Sequence, residues 1–250
     1  MKKTLIAALV AVLVLASFVS CSKKEETAES KTYIIASDCT WPPMEFINSD
    51  KEMVGYDIDF INAVAKEAGI DIEIRNTAWD GIFASLANGE SDAVISSVTI
   101  TEERKKTMDF SLPYINAGQV LIVPSSSSAK TLADLTGKEV GAQIGTTGAI
   151  EIDNSAAELK TYDELGFAIE DLANGRIEGV VADTPIAADY VLQNDTYKGK
   201  LMIVGDSFTD EFYGIAVKKG NTELLDLINQ GINAVQDKGI DKELEDKWLR

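Results

Sequence analysis

The 250-residue chain contains no histidine. This absence removes the commonest general base, the serine and cysteine triads built on it, and most zinc sites. Basic residues are few beside acidic ones, 23 against 41, for a formal net charge of -18. That balance argues against a nucleic-acid surface, which wants clustered lysine and arginine. Cysteine is nearly absent, with only Cys21 and Cys39. The main apolar run, Leu5 to Val19, is too short and one-sided for a membrane span. What is present is 45% hydrophobic residues, enough for a core and too much for global disorder.

The N-terminus reads as a processing segment. Lys2 and Lys3 form a basic start, the apolar run follows, and Cys21 comes directly after Phe18-Val19-Ser20. A cysteine after a small residue here resembles the lipobox of bacterial lipoproteins; the alternative is an ordinary secretory signal with a chance cysteine. Residues 1–20 are therefore expected to be a signal peptide and 21–31 a polar tether lipidated at Cys21. Lipidation of Cys21 leaves Cys39 without a partner, and Cys39 is expected to be a small buried filler.

Beyond Lys31 the chain alternates strand and helix signals, which predicts an α/β fold with mostly parallel sheets. Strands are expected at 32–37, 71–76 and 92–95, and helices from Gly55 to Gly69 and from Trp79 to Asn88. The second half repeats the plan. A strand is expected at 138–144, with Gly145-Thr146-Thr147-Gly148 opening a helix. Thr161-Tyr162-Asp163-Glu164 has the form of a capping box before the next helix. Leu86-Ala87-Asn88-Gly89 recurs as Leu172-Ala173-Asn174-Gly175, each followed by an acidic residue and a small apolar run. Two similar lobes follow from this echo, each presenting a polar loop at the carboxyl end of a strand, where open α/β sheets bind ligands. Connections are expected at 114–123 and 207–215, and the C-terminal segment is expected to be helical.

The polar residues at those strand ends form a kit. The first lobe offers Asp38 with Trp41, then Trp79, then Ser97, Thr99 and Arg104. The second offers Gln143, Thr146, Thr147 and Asp183. A cation such as Arg104 near a helix start is mildly unfavourable unless it serves an anion or pairs with a local glutamate. A two-pronged contact from Arg104 can take an α-carboxylate, with support from N–H groups near Thr99 and Thr147. Asp183 can take the α-ammonium. Trp41 and Trp79 can sandwich a side chain and Asp38 can meet its far end, although both tryptophans also suit a core and Asp183 a plain turn.

Gly55-Tyr56-Asp57-Ile58-Asp59-Phe60, Ser97 to Arg104, Gly145-Thr146-Thr147 and Asp183-Thr184-Pro185 occur here in one order. In that order they resemble the bacterial extracellular solute-binding proteins, family 3, the polar amino acid binders of ABC importers. The resemblance spans roughly Thr32 to Leu249. It implies a two-lobed type II periplasmic-binding-protein fold, a flytrap with two crossover connections. We expect one lobe at 32–117 plus 211–250 and the other at 118–210. It implies Arg104 on the carboxylate, Asp183 on the amine, backbone support at Thr99 and Thr147, and an aromatic sandwich from Trp41 and Trp79. Side-chain specificity is implied at Asp38 and Gln143, and Ser97 joins the ligand-binding set.

Two tryptophans and a carboxylate favour a long cation with a flat head. Arginine leads, then lysine, ornithine and histidine; glutamine is the rival because Gln143 also suits an amide. The chain is expected to be no enzyme and to need no cofactor or metal, the competing expectation being a dehydratase resembling cyclohexadienyl dehydratase. Expected partners are the amino acid, an ABC permease and ATPase complex, and the membrane through Cys21. The protein is expected to be a monomer at the periplasmic or extracellular face of the cell envelope, with no nucleic acid.

Overall fold

A computed structural model describes residues 31–250. The expected signal peptide, Cys21 and all of the expected tether except Lys31 lie outside the described residues. Lys31 is held against the fold, its Nζ 3.1 Å from Asp92 and above the Tyr33 ring.

Strand β1 (Thr32–Ser37) leads into a small antiparallel sheet of β2 (Thr40–Trp41), β3 (Glu45–Ile47) and β4 (Met53–Val54). Helix α1 (Tyr56–Ala68) buries Phe60, Ile61, Val64 and Ala65 at helical spacing. It stops at Gly69, whose φ of 67° is the left-handed conformation that glycine adopts without a Cβ clash. Gly55, just before α1, allows no side chain, because a Cβ there would stand 2.2 Å from the Met44 carbonyl oxygen. Strand β5 (Asp71–Asn76) and helix α2 (Trp79–Asn88) match their expected bounds, and β6 (Ala93–Val94) follows. After the loop come β7 (Met108–Phe110) and β8 (Ile115–Ala117).

The second half contains β9 (Gln119–Pro124), β10 (Glu139–Gln143), α3 (Thr147–Asp153), β11 (Glu158–Tyr162), α4 (Leu165–Ala173), β12 (Gly179–Asp183) and α5 (Thr184–Ala188). The chain returns through β13 (Leu201–Val204), β14 (Glu211–Tyr213) and β15 (Ala216–Lys218), and ends in α6 (Thr222–Asp237) and α7 (Ile240–Trp248).

These strands form two five-stranded sheets of matching order, β5-β1-β6-β15-β7 and β11-β10-β12-β9-β13. The repeated Leu-Ala-Asn-Gly segments end α2 and α4, and the strands after them, β6 and β12, hold the central place in their sheets. The sheets are mixed rather than mostly parallel. β15 runs antiparallel to β6 and β7, and β9 runs antiparallel to β12 and β13. The reason is the crossing: a strand arriving from the other lobe enters against the direction of the local βαβ units. Residues 120–123, expected to be connection, are a fully buried strand at the heart of the second sheet. β8 and β14 pair antiparallel and carry the chain between the two halves.

Two local expectations are corrected. Tyr162 continues β11, and α4 starts after Glu164 without a side-chain cap, so 161–164 is not a capping box. Arg104 opens a single 3-10 turn, 104–106, not an α-helix. Its N-cap is Glu103, without a side-chain cap bond, and Thr101 Oγ1 accepts the Arg104 N–H at 3.1 Å from two residues further back.

The core beneath the first lobe stacks Tyr56, Phe60 and Tyr114, with ring centroids 4.9–6.3 Å apart. Burial of the Phe60 ring contributes about 1.5–3 kcal/mol. Helix α6 crosses α1 at Gly231, where a Cβ would stand 2.4 Å from the Val64 carbonyl oxygen. Cys39 is buried and unpaired.

Candidate ligand-binding cleft

All nine residues expected at the site line one small cavity between the two sheets' carboxyl ends. Asp38, Trp41, Trp79, Ser97, Thr99 and Arg104 come from the first half, and Gln143, Thr147 and Asp183 from the second.

Arg104 reaches across the cleft. Its Nη1 donates to the Thr99 carbonyl at 2.8 Å and its Nη2 to the Gly145 carbonyl at 3.2 Å. Its guanidinium also lies over the rings of Trp79 and Phe83. Of five N–H donors two are used here, so three can serve an anion. Burial lowers its pKa, and the carboxylates of Asp183 and Glu211 oppose that.

Asp183 ends β12 and is 5% exposed. Its Oδ2 accepts from Tyr213 Oη at 2.7 Å. Burial pushes its pKa up to about 6, against the hydrogen bonds from Tyr213 and Gln119 and the Arg104 charge, with Glu211 adding to the rise. A carboxylate so desolvated gains strongly from a cation.

At the end near Trp41, Asp38 Oδ1 accepts from Thr40 Oγ1 at 3.1 Å and Oδ2 from Gln143 Nε2 at 3.3 Å. Burial raises its pKa, partly offset by those bonds. Ser96 Oγ accepts the Asp38 N–H at 2.9 Å and donates to Glu45 Oε1 at 3.0 Å. Ser97 occupies the left-handed region at φ 49°, a strain of roughly 1–2 kcal/mol for a residue with a Cβ. It is held there because its N–H donates to Asp57 Oδ2 at 2.7 Å and its Oγ to Glu45 Oε2 at 3.2 Å.

On the second lobe, Thr146 caps α3, its Oγ1 accepting the Ala149 N–H at 3.2 Å. Thr147 is the first residue of that helix, so unpaired N–H groups and the positive helix end face the cleft.

Three lining residues were missed or left unassigned: Glu45, Ser96 and Thr146. Glu45 is completely buried beside Asp57, and burial together with that neighbouring charge raises its pKa well above the usual carboxylate range. Its signal was available, as a lone acid between Met44 and Phe46 in an otherwise apolar stretch. Glu211 and Tyr213, behind the cavity, share one face of β14 by the two-residue strand period. Nothing in the sequence says which way that face points. Among the described residues no group of three or more histidine, cysteine, aspartate or glutamate side chains is placed to hold a metal ion, and no helix is long and apolar enough to cross a membrane.

Two lobes joined by two crossing strands, with a charged cleft between them, define a type II periplasmic binding protein. The model of the bacterial extracellular solute-binding proteins, family 3, matches residues 33–250, and the chain belongs to that extracytoplasmic family. It is 35% identical over 214 residues to the "Probable histidine-binding protein" of Neisseria gonorrhoeae, covering 84% of this chain and 80% of that protein. It is 34% identical over 247 residues to the L-cystine-binding protein TcyJ of Escherichia coli strain K12, covering 97% and 91%. The solved structure of an ancestral arginine-binding protein bound to arginine superposes with a TM-score of 0.83 at 39% identity, covering 88% of this chain and 98% of that one.

Proposed function

We propose that this chain is the solute-binding component of an amino acid ABC importer that takes a cationic L-amino acid, arginine first and lysine, ornithine and histidine after it. The observation that carries this is a buried acid, Asp38, with Trp41 and Trp79 in the same cavity as Arg104 and Asp183. Arg104 and the α3 N-terminus take the α-carboxylate, and Asp183 takes the α-ammonium. The side chain runs past the tryptophans toward Asp38, whose buried charge repels acidic ligands and favours a guanidinium. Gln143, 3.3 Å from Asp38, supports glutamine as the second ligand.

We place the lobe boundaries at 32–117 with 211–250 and at 118–210. Binding proceeds without turnover, and Cys21 carries the lipid that tethers a monomer to the membrane beside its permease. Relatives of similar sequence are named for histidine, cystine and arginine, so calorimetry must decide the ligand. The protein is unfolded, dialysed free of bound amino acid, refolded, and titrated with arginine, lysine, ornithine, histidine, glutamine and cystine. Tightest binding to arginine supports the reading. Tighter binding to glutamine or cystine overturns the cationic assignment. Turnover of prephenate or arogenate would replace binding with dehydration.

A further inference from the structure

Glu211 stands behind the cavity at the start of β14, opposite Ala117 of β8, where the chain crosses between lobes. It lines the groove on the hinge side and not the cavity itself. A single carboxylate oxygen, Oε2, lies 2.7 Å from Thr147 Oγ1, 3.0 Å from Thr99 Oγ1 and 3.4 Å from Gln119 Nε2. Thr99 follows the central strand of the first sheet, and Thr147 starts α3 over the second. One atom on the hinge therefore gathers donors from both halves.

The two hydroxyls are 3.4 Å from each other, long for a bond between oxygens, which peaks near 2.7–2.8 Å. The bridge between lobes at this point thus runs through Glu211 rather than directly. A hydroxyl has one proton. Once Thr99 and Thr147 donate to Glu211, neither hydroxyl can donate into the cavity, and Thr147 Oγ1 also accepts from Gln119 Nε2 at 3.1 Å. Bonds to an ionised acceptor are about twice as strong as neutral ones.

We propose that Glu211 is a positioning residue that latches the two lobes from the hinge side, drawing the Thr99 and Thr147 hydroxyls onto one carboxylate and so sustaining closure independently of what the cavity holds. Closure then depends on the contacts to the ligand, on the direct bonds from Arg104 to Gly145 and from Gln143 to Asp38, and on Glu211. Weakening the Glu211 contacts shifts the open–closed equilibrium without touching the ligand. Affinity changes chiefly through release, because opening precedes escape.

The test compares wild type with Glu211→Ala, Glu211→Gln and Thr147→Val. L-arginine dissociation is followed by stopped-flow tryptophan fluorescence, and lobe separation by small-angle scattering of the ligand-stripped protein. Glu211→Ala should release arginine about tenfold faster, as expected for one charge-assisted bridge, and should increase the radius of gyration. Glu211→Gln keeps an accepting oxygen and should fall between. Thr147→Val combined with Glu211→Ala should give less than the sum of the single effects, which a merely structural glutamate would not produce. Wild-type release and wild-type dimensions in Glu211→Ala overturn the latch. If that variant does not fold, Glu211→Gln and Thr147→Val carry the same comparison. If arginine does not bind at all, the scattering measurement still answers for Glu211.

Discussion

The two halves use the same unit, a helix ending in Leu-Ala-Asn-Gly followed by a central strand, and equip it with opposite charges. In the first half the strand is short, and an irregular loop carries the chain through Ser97, at φ 49°, to Arg104 on a 3-10 turn. In the second half β12 runs straight to Asp183, and Thr184-Pro185 start a helix at once. A flexible cation on a long loop can span the cleft, as Arg104 does to Gly145. An acid locked at a strand end by Tyr213 cannot move, so one side of the cleft reaches and the other receives.

Arg104→Ala is the hardest blow to this asymmetry. It should weaken amino acid binding by about 2–5 kcal/mol, because it leaves the ligand carboxylate buried and unpaired; calorimetry reads the loss, and near-normal affinity would mean another group anchors the carboxylate. Asp183→Asn should weaken binding by about 1.5–3 kcal/mol and yet raise stability at pH 7. The folded pKa of Asp183, about 6, lies above its ordinary value of 3.8. The folded protein therefore holds this proton more tightly than the unfolded chain. Stability from this group is full below about pH 4 and is lost as pH rises through 6. Removing the charge should restore on the order of 1–3 kcal/mol at neutral pH, seen as a higher melting temperature. For the same reason affinity for an α-ammonium should fall as pH drops below 6, where Asp183 gains its proton.

Asp38→Asn sharpens the contrast between the ends of the cavity. It should cost arginine about 1.5–3 kcal/mol and glutamine less; equal losses would give Asp38 a purely structural role. The smallest effect is at the caps. Thr146→Ala should destabilise the second half by about 1 kcal/mol in urea unfolding, through loss of the α3 N-cap bond.

Much of the local structure was legible. Helices α1 and α2 follow from apolar spacing and the glycines after them, and β5 from alternation. The nine expected cavity residues were visible because each sits at a strand end or in the loop or helix start that follows one. One failure has a plain cause. Val120 to Val123 reads as an apolar connection and is a strand whose partners lie far away in sequence, whereas Glu211-Phe212-Tyr213, read as a return segment, does cross back as β14. The capping box at 161–164 failed because pairing with β10 extends β11 through Tyr162 and leaves no free residue to cap.

The sequence by itself determined helices α1 and α2, the repeated unit, the excess of acid and the identity of the polar groups, since these depend on side-chain chemistry and on spacing within a dozen residues. Tertiary structure alone decided that Arg104 and Asp183 share one cavity, that Glu45 is buried beneath it, and that Glu211 meets Thr99 and Thr147 across 112 and 64 residues of chain. Those distances close only when the chain has crossed between lobes and returned, and no local pattern records where two crossing strands will bring their ends together.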